Sequence, residues 1–190
     1  MKFDTNKMVK IAVLSALAVV LMLILRFPII PSAAYLEYDP ADIPVLIGGF
    51  MYGPVAGLII TLIVSFIQAV TVSAASGWIG FAMHVIATGT LVIVSSLIYK
   101  KIHNFKGAII ALIAGSIAMT LVMIPSNLYF GPKFGVPIEA VKAGLTVAVI
   151  PFNLLKSCIN SVITMLLYKP LSRVLKGLGS ERRLQAKTKN

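Results

Sequence analysis

Long apolar stretches separated by short polar connections make up most of this chain. Four stretches contain no Asp, Glu, Lys or Arg; they are 11–25, 55–72, 81–99 and 108–124. A fifth, 143–168, contains a single charge, Lys156. Stretches of this length predict α-helices that cross a bilayer, whose hydrocarbon core is about 30 Å thick. The pattern therefore predicts an all-α integral membrane protein.

The positions of the charges along the chain predict a sixth crossing of the membrane. Residues 1–10, 100–106 and 169–190 carry the whole net charge of +11, and basic segments of this kind mark the cytoplasmic side. Five crossings starting from a cytoplasmic N-terminus would place the 100–106 connection outside. The missing crossing must be residues 43–52, which are only about 15 Å long as a helix. We therefore expect six transmembrane helices, the second short or irregular and surrounded by protein, with both termini cytoplasmic.

Composition excludes several other classes of protein. Apolar residues make up 58% of the chain and the mean hydropathy is +0.96, which is typical of a lipid-facing surface. The short basic flanks lack interleaved aromatic residues, which argues against nucleic-acid binding.

We expect a single transmembrane domain over residues 1–190, with the bundle at about 8–169 and a basic cytoplasmic tail at 170–190. A signal peptide ending near 32–34 is a competing interpretation, although Arg26 interrupts the approach to that site.

Lys156 lies near the middle of the last apolar stretch. Along a helix it is about 20 Å from Lys142 and about 20 Å from Lys169, so its ammonium cannot reach either end of the span. A cation at that depth costs at least about 3 kcal/mol unless it meets a polar cavity, a partner or a ligand. We therefore expect a bound molecule, rather than the polypeptide, to match the charge of Lys156. The alternative is a structural contact with backbone carbonyls or a buried side chain.

Other polar residues fall beside Lys156 in the predicted bundle. Asn153 and Asn160 lie on the same helix face as Lys156, and Pro151 is expected to bend that helix. Asn127 follows the preceding span. An asparagine amide offers an acceptor and two donors, which complements a ligand edge that alternates carbonyl and N–H groups. Apolar walls of the pocket are expected from Phe81, Met83, Phe152 and Leu155.

The long connection between the first two predicted helices carries three acidic residues. Loops of about 17 residues often act as lids or binding loops. Asp39 precedes a proline and is equally suited to a turn or to a ligand contact. Asp42 is expected to cap the short second helix, which has Pro44 in its first turn. Glu37 is expected to be solvated.

The chain lacks the patterns of common catalytic and metal sites. It contains no Gly-x-x-x-x-Gly-Lys-[Ser/Thr] sequence, and hence no nucleotide-binding loop of that type. His84 and His103 have no neighbouring ligands at helical spacing, so neither predicts a metal site. We expect His84 to be a packed, hydrogen-bonded residue. Without paired intramembrane carboxylates or a nucleophile with a base, we expect no catalytic residues and no enzyme activity.

Two motifs resemble a known family. Residues 38–50 (YDPADIPVLIGGF), continuing through 53–57, and residues 151–156 (PFNLLK), with 168–172 closing their helix, resemble the riboflavin-specific substrate-binding (S) component of energy-coupling factor (ECF) vitamin transporters. The resemblance covers nearly the full length apart from the charged tail. It implies a six-helix S component in the plasma membrane of a prokaryote that binds riboflavin from the outside. Such a component docks on a separate module of two ATPases and a transmembrane coupling subunit. Riboflavin would be the transported ligand, and no cofactor is implied.

The resemblance also implies roles for individual residues. The substrate-binding residues would be Asn127, Asn153, Lys156, Asp39, Tyr38 and Gln68, and Met83 joins them as an expected apolar wall of the pocket. The first three would face the polar edge of the isoalloxazine ring, and Asp39 and Tyr38 would serve the ribityl chain or the lid. Ala12 and Ala16 match the family's coupling signature, because small residues four apart allow another helix to approach closely.

Two other functions stay open at this stage. The topology permits an S component for another small vitamin, such as thiamine or biotin. A non-transporting membrane scaffold, in which Lys156 makes a structural contact, is the alternative from a different class.

Overall fold

The computed structural model describes the backbone of residues 5–187 and the side chains of residues 5–171. Within that part of the chain the helices are α1 (Thr5–Ile24), α2 (Asp42–Tyr52), α3 (Pro54–Val70), α4 (Gly77–Lys101), α5 (Phe105–Phe130), α6 (Ile138–Gly144) and α7 (Ile150–Lys187). A π-helical turn, Leu145–Val149, joins α6 to α7. Three connections contain a 3₁₀ turn: Pro31–Ala33, Ala74–Ser76 and Pro132–Phe134. The predicted all-α class is confirmed.

Four helical segments of the described chain are long and apolar enough to cross a membrane. They are Thr5–Ile24, Ala74–Lys101, Phe105–Phe130 and Ile138–Leu171. The remaining apolar helices, α2 and α3, are shorter, with 11 and 17 residues.

The short second helix is enclosed by the others, as its sequence predicts. All residues from Asp42 to Phe50 are buried, and α2 packs against α1, α3, α4 and α7. Eleven residues rise only about 16 Å, so protein rather than lipid must surround the ends of this helix. Gly53 then reverses the chain into α3, with a φ of 91° that favours glycine.

A short β-hairpin, too brief to predict from hydropathy, folds back the connection between α1 and α2. Strands β1 (Phe27–Pro28) and β2 (Glu37–Tyr38) are antiparallel, with Phe27 opposite Tyr38. Their two rings lie 5.3 Å apart, centroid to centroid. The hairpin positions the residues that follow it, which lead into α2, inside the bundle.

Two prolines of the last helical segment have different effects. The π-helical turn ends two residues before Pro151, where a bend was expected. Because proline has no N–H, the carbonyl of Val147 loses its usual donor there. The expectation that residues 168–172 close the helix is wrong, since α7 continues through Pro170 to Lys187. The side chains of most of the basic tail lie outside the described residues.

Gly115 lies where α4 and α5 pack closely. A Cβ on Gly115 would stand 2.9 Å from the carbonyl oxygen of Leu91 and against the hydroxyl of Ser95, whereas a Cβ on Gly89 would meet only a Leu58 methyl at 3.5 Å. We expect Gly115→Ala to lower the free energy of unfolding by about 1–3 kcal/mol, because the Leu91 backbone can yield only if the helices separate. Gly89→Ala is the matched control, and it should be neutral or stabilising because alanine favours helix by about 1 kcal/mol. Thermal unfolding of both variants in detergent measures the difference, and equal melting temperatures would contradict this packing.

Candidate ligand-binding site

A cavity of about 620 Å³ lies at the end of the bundle that carries the connection between α1 and α2. This volume falls within the range of about 300–1,000 Å³ that small-molecule sites occupy. Its walls come from that connection, the end of α3, the start of α4, the end of α5 and the segment from α6 into α7. Among the residues that the structure describes, those around this cavity form the site best suited to hold a small molecule.

The structure brings most of the predicted substrate-binding residues to this cavity. Those that line it are Asn127, Asn153, Lys156, Asp39, Gln68 and Met83. Phe81 and Phe152 also line it, as expected of apolar walls. The prediction that Leu155 is a wall residue is wrong: it is 44% exposed, because its position on α7 turns it away from the face of Lys156. Tyr38 is buried but does not line the cavity.

Lys156 forms a buried ion pair with Asp39. Its Nζ lies 2.9 Å from Oδ2 of Asp39 and 3.8 Å from Oδ2 of Asp42. The expectation that a bound molecule, rather than the polypeptide, matches this ammonium is therefore wrong. The partner is 117 residues away in the chain, so helix spacing could not reveal it. Because Lys156 and Asp39 both line the cavity, the pair forms part of its wall.

Asp39 combines the turn role with this ion pair. Its Oδ1 accepts a hydrogen bond from the backbone N–H of Ala41 at 3.1 Å. Burial raises the pKa of the Asp39 carboxyl, but the ammonium of Lys156 outweighs burial and holds that pKa below its usual value. Asp39 is consequently ionised at neutral pH.

A hydrogen-bond network around Asn160 ties the connection before α2 to α7. Its Nδ2 donates to Oδ2 of Asp42 at 3.2 Å and to the backbone oxygen of Asp39 at 3.3 Å. Its Oδ1 accepts from the hydroxyl of Tyr38 at 2.8 Å. Tyr38 thus contacts the site through Asn160 and holds the connection in place. Asn160 was identified from its helix face, but its partners were not.

Asp42 does not cap α2, contrary to the sequence prediction. The helix begins at Asp42 itself, after Ala41, and has no side-chain cap. Its carboxylate instead accepts hydrogen bonds from Oγ1 of Thr88 at 2.8 Å and from Asn160. Thr88 lies on α4, so Asp42 joins three helices around the floor of the cavity.

The side-chain amides of Asn127 on α5 and Asn153 on α7 each donate a hydrogen bond to the backbone carbonyl four residues earlier. The Nδ2 of Asn127 donates to the carbonyl of Met123 at 2.7 Å, and that of Asn153 donates to the carbonyl of Val149 at 2.8 Å. Among the residues whose side chains are described, neither amide oxygen accepts a hydrogen bond. These contacts fix two amides at the cavity wall while leaving their acceptors available.

A second polar group at the cavity contains Gln68, which was predicted to bind substrate, and three residues that were not: Arg26, Glu37 and Ser73. Arg26 pairs with Glu37 and donates to Oγ of Ser73 at 2.9 Å, and Nε2 of Gln68 lies 3.4 Å from the same oxygen. Glu37 is therefore ion-paired rather than solvated as expected. The only signal in the sequence for this ion pair was the opposite charge of Arg26 and Glu37 within one connection.

His84 is also part of the cavity wall. Its Nδ1 lies 2.8 Å from Oγ of Ser65, which agrees with the expected hydrogen-bonded role. Its Nε2, however, is buried and has no hydrogen-bond partner among the residues that the structure describes, and His84 lines the cavity.

The chain also matches a known protein family over most of its length. The family model "ECF transporter, substrate-specific component" matches residues 6–168. The chain belongs to this family. Substrate-specific components are the S components named above.

Curated relatives of this S component are riboflavin transporters. It is 31% identical to riboflavin transporter RibU of Staphylococcus aureus, with 91% of this chain and 94% of the relative covered. It is 31% identical to RibU of Streptococcus thermophilus, covering 90% and 85% of the two chains. Riboflavin transporter FmnP of Bacillus subtilis is 29% identical, with coverage of 86% and 90%.

Two solved structures share the fold of this S component. The S component of a bacterial ECF transporter superposes with a TM-score of 0.75 at 31% identity, covering 90% of this chain and 97% of that one. ThiT from Listeria monocytogenes superposes with a TM-score of 0.64 at 16% identity, covering 89% and 96%. The second likeness shows the fold alone.

The two alanines of the predicted coupling signature lie away from the cavity of this S component. Ala12 and Ala16 are both exposed on α1. Ala12 borders a shallow apolar groove between α1 and α3, lined also by Met8, Ile11, Ile59 and Ile63. A partner helix can reach this surface without touching the ligand cavity.

Proposed function

We propose that this S component binds riboflavin in the cavity and delivers it inward when docked on an ECF module of two ATPase subunits and a transmembrane coupling subunit. The observation that carries the proposal is the cavity itself. In a chain whose relatives are named riboflavin transporters, this cavity has Asn127, Asn153 and Lys156 along one side. Delivery involves binding and release without a covalent step.

The cavity wall suits the chemistry of a flavin ring. The fixed amides of Asn127 and Asn153 offer acceptors and donors to the alternating carbonyl and N–H groups of the isoalloxazine edge. Lys156 adds a cationic donor beside them. Phe81, Phe152, Met83, Met119 and Met123 supply apolar contact for the flat faces of the ring. Asp39 belongs to this polar end, and Tyr38 holds the connection that covers it.

The membrane topology that fits this function has six crossings and cytoplasmic termini. The short, enclosed α2 counts as one crossing, and α6, the π-helical turn and α7 together count as one. The basic residues of the 100–106 connection and the tail then face the cytoplasm of a prokaryotic cell, as basic segments prefer. The cavity opens at the opposite end of the bundle, toward the outside.

The visible spectrum of the protein purified in mild detergent tests the proposal. Cells grown with riboflavin should yield a yellow protein whose flavin absorbance stays with it through gel filtration. Thiamine or biotin in large excess should not displace the flavin. Purified protein that retains no flavin and quenches no flavin fluorescence on titration would contradict riboflavin binding. Retention of another vitamin in equilibrium dialysis would favour the alternative substrate, and retention of none would favour the scaffold.

Asn153→Leu is expected to weaken riboflavin binding by about 5- to 150-fold. The substitution removes a buried amide and leaves its ligand partner unsatisfied, which costs about 1–3 kcal/mol. Titration by flavin fluorescence quenching measures the change. Asn6→Leu, near the start of α1 and outside the cavity wall, is the matched control and should bind like wild type. Equal affinities for Asn153→Leu and wild type would remove Asn153 from the site.

A further inference from the structure

We propose that the cavity binds oxidised riboflavin in preference to reduced riboflavin, because the buried charges at its polar end sum to a negative value. The inference deepens the proposed function and rests on it, since it takes the ligand in the cavity to be a flavin. The charges belong to three buried side chains, Lys156, Asp39 and Asp42, which we call the charged triad.

The charged triad contains one ammonium and two carboxylates. The Nζ of Lys156 lies 2.9 Å from Oδ2 of Asp39 and 3.8 Å from Oδ2 of Asp42. Asp39 is ionised, as argued above. Both oxygens of Asp42 accept hydrogen bonds, one from Thr88 and the other from Asn160, which fits a carboxylate because that group can only accept. The triad therefore carries one excess negative charge.

The other ionisable side chains at the cavity do not cancel this charge. Among the described residues, those that line the cavity outside the triad are Arg26, Glu37, His84 and Tyr35. Arg26 and Glu37 form an ion pair and compensate each other. A histidine is neutral in mildly alkaline solution, and the phenol of Tyr35 is exposed and uncharged there.

The two asparagines of the cavity wall act in the same direction. The Nδ2 of Asn127 and that of Asn153 both donate to backbone carbonyls. The amide oxygens are therefore the atoms left for a ligand, and an amide oxygen can only accept. Such an oxygen suits a ring N–H and repels a ring nitrogen that has lost its proton.

The two redox forms of riboflavin differ in charge. The oxidised isoalloxazine ring is neutral, whereas two electrons and one proton convert it to a hydroquinone anion in mildly alkaline solution. Charges near the ring tune a bound flavin, and they act more strongly in a buried site than in water. Lys156 alone would favour the anion, but Asp39 already holds its ammonium. The excess negative charge should therefore weaken binding of the reduced form.

The two-electron reduction potential of bound riboflavin tests this preference in the wild-type protein. The protein is titrated anaerobically with dithionite in mildly alkaline detergent solution beside a reference dye, and free riboflavin is titrated in the same way. We expect reduced riboflavin to bind at least about tenfold more weakly than oxidised riboflavin, which corresponds to a potential about 30 mV below that of free riboflavin.

Asp42→Asn tests whether the triad is the cause. Asp42 does not itself line the cavity, and asparagine has the same shape and keeps one acceptor. Removing this charge should reduce the preference for oxidised riboflavin by about fivefold, which raises the potential by about 20 mV. The potential depends only on the ratio of the two affinities, so a general weakening of binding leaves it unchanged. Glu139→Gln is the matched control, because Glu139 is exposed beside Lys142 and outside the cavity wall. Water screens this charge, so the potential should equal that of wild type.

The outcomes separate this inference from the proposed function. Wild-type protein that binds reduced riboflavin as tightly as oxidised riboflavin, or more tightly, would overturn the inference while leaving flavin binding intact. An unchanged potential in Asp42→Asn, or an equal shift in Glu139→Gln, would also overturn it, since the preference would not come from the triad. Wild-type protein that binds neither form would overturn the proposed function and the inference together. The wild-type comparison needs no variant, so it tests the preference even if Asp42→Asn fails to fold.

Discussion

Lys156→Met is expected to lower the free energy of unfolding by about 3–5 kcal/mol, the cost of leaving a buried charge without its partner. The Lys156 ammonium lies 2.9 Å from Asp39 and 3.8 Å from Asp42, and all three side chains are buried. Methionine fills a similar volume but leaves two buried carboxylates close together without a cation. Thermal unfolding in detergent, followed by circular dichroism, should show a large drop in melting temperature.

The double variant Lys156→Met/Asp39→Asn separates stability from ligand binding. Neutralising Asp39 removes one of the two unpaired charges, and Asp42 still accepts hydrogen bonds from Thr88 and Asn160, so we expect much of the lost stability to return. Riboflavin affinity should stay about 10- to 100-fold below wild type, since the charged donor of Lys156 is still absent. Lys101→Met, exposed at the end of α4, is the matched control for removal of a lysine. A double variant as unstable as the single one would show that the ion pair is not what Lys156 contributes to the fold. Wild-type riboflavin affinity in a stable double variant would remove Lys156 from the ligand site.

Ala12→Trp is expected to abolish riboflavin uptake while leaving riboflavin binding within about twofold of wild type. Ala12 is exposed and borders the groove with Ile59 and Ile63, where a small residue permits close approach of a partner helix. An indole there would hold the partner away. The cavity lies elsewhere in the bundle and does not include Ala12, so the ligand should bind as before.

Uptake of radiolabelled riboflavin by cells that contain the coupling module, measured beside binding by the purified variant, checks this expectation. Leu17→Trp is the matched control, because it places the same side chain at an exposed position on another side of α1. It should transport like wild type. Equal loss of uptake and binding in Ala12→Trp would indicate misfolding, and full uptake would exclude this surface from docking.

Part of the site could be predicted because its signals are local. Lys156 was identified from the absence of any other charge in its stretch, and Asn153 from its spacing to Lys156 along one helix face. The structure places both at the cavity. The short α2 was predicted from crossing parity and charge sorting, and the burial of its residues from Asp42 to Phe50 agrees. Such features depend on hydropathy and helical period, which neighbouring residues determine.

The residues whose roles were predicted wrongly or incompletely have partners that are distant in the chain. Asp39 pairs with Lys156 across 117 residues, and Thr88 reaches Asp42 across 46. His84 was interpreted as a packed residue because nothing near it in sequence suggested a ligand. Its unpartnered nitrogen becomes visible only once the cavity is formed.

By itself, the sequence of this S component determined the membrane environment, the helical segments, the family and the depth of one lysine. Only the tertiary structure decided which carboxylates neutralise that lysine, which side chains border the cavity and which polar atoms stay unmatched. The physical reason is that hydropathy and helix periodicity act over a few turns of chain. Ion pairs and hydrogen bonds instead act over about 3 Å in space, and the packing of α2, α4 and α7 sets those distances.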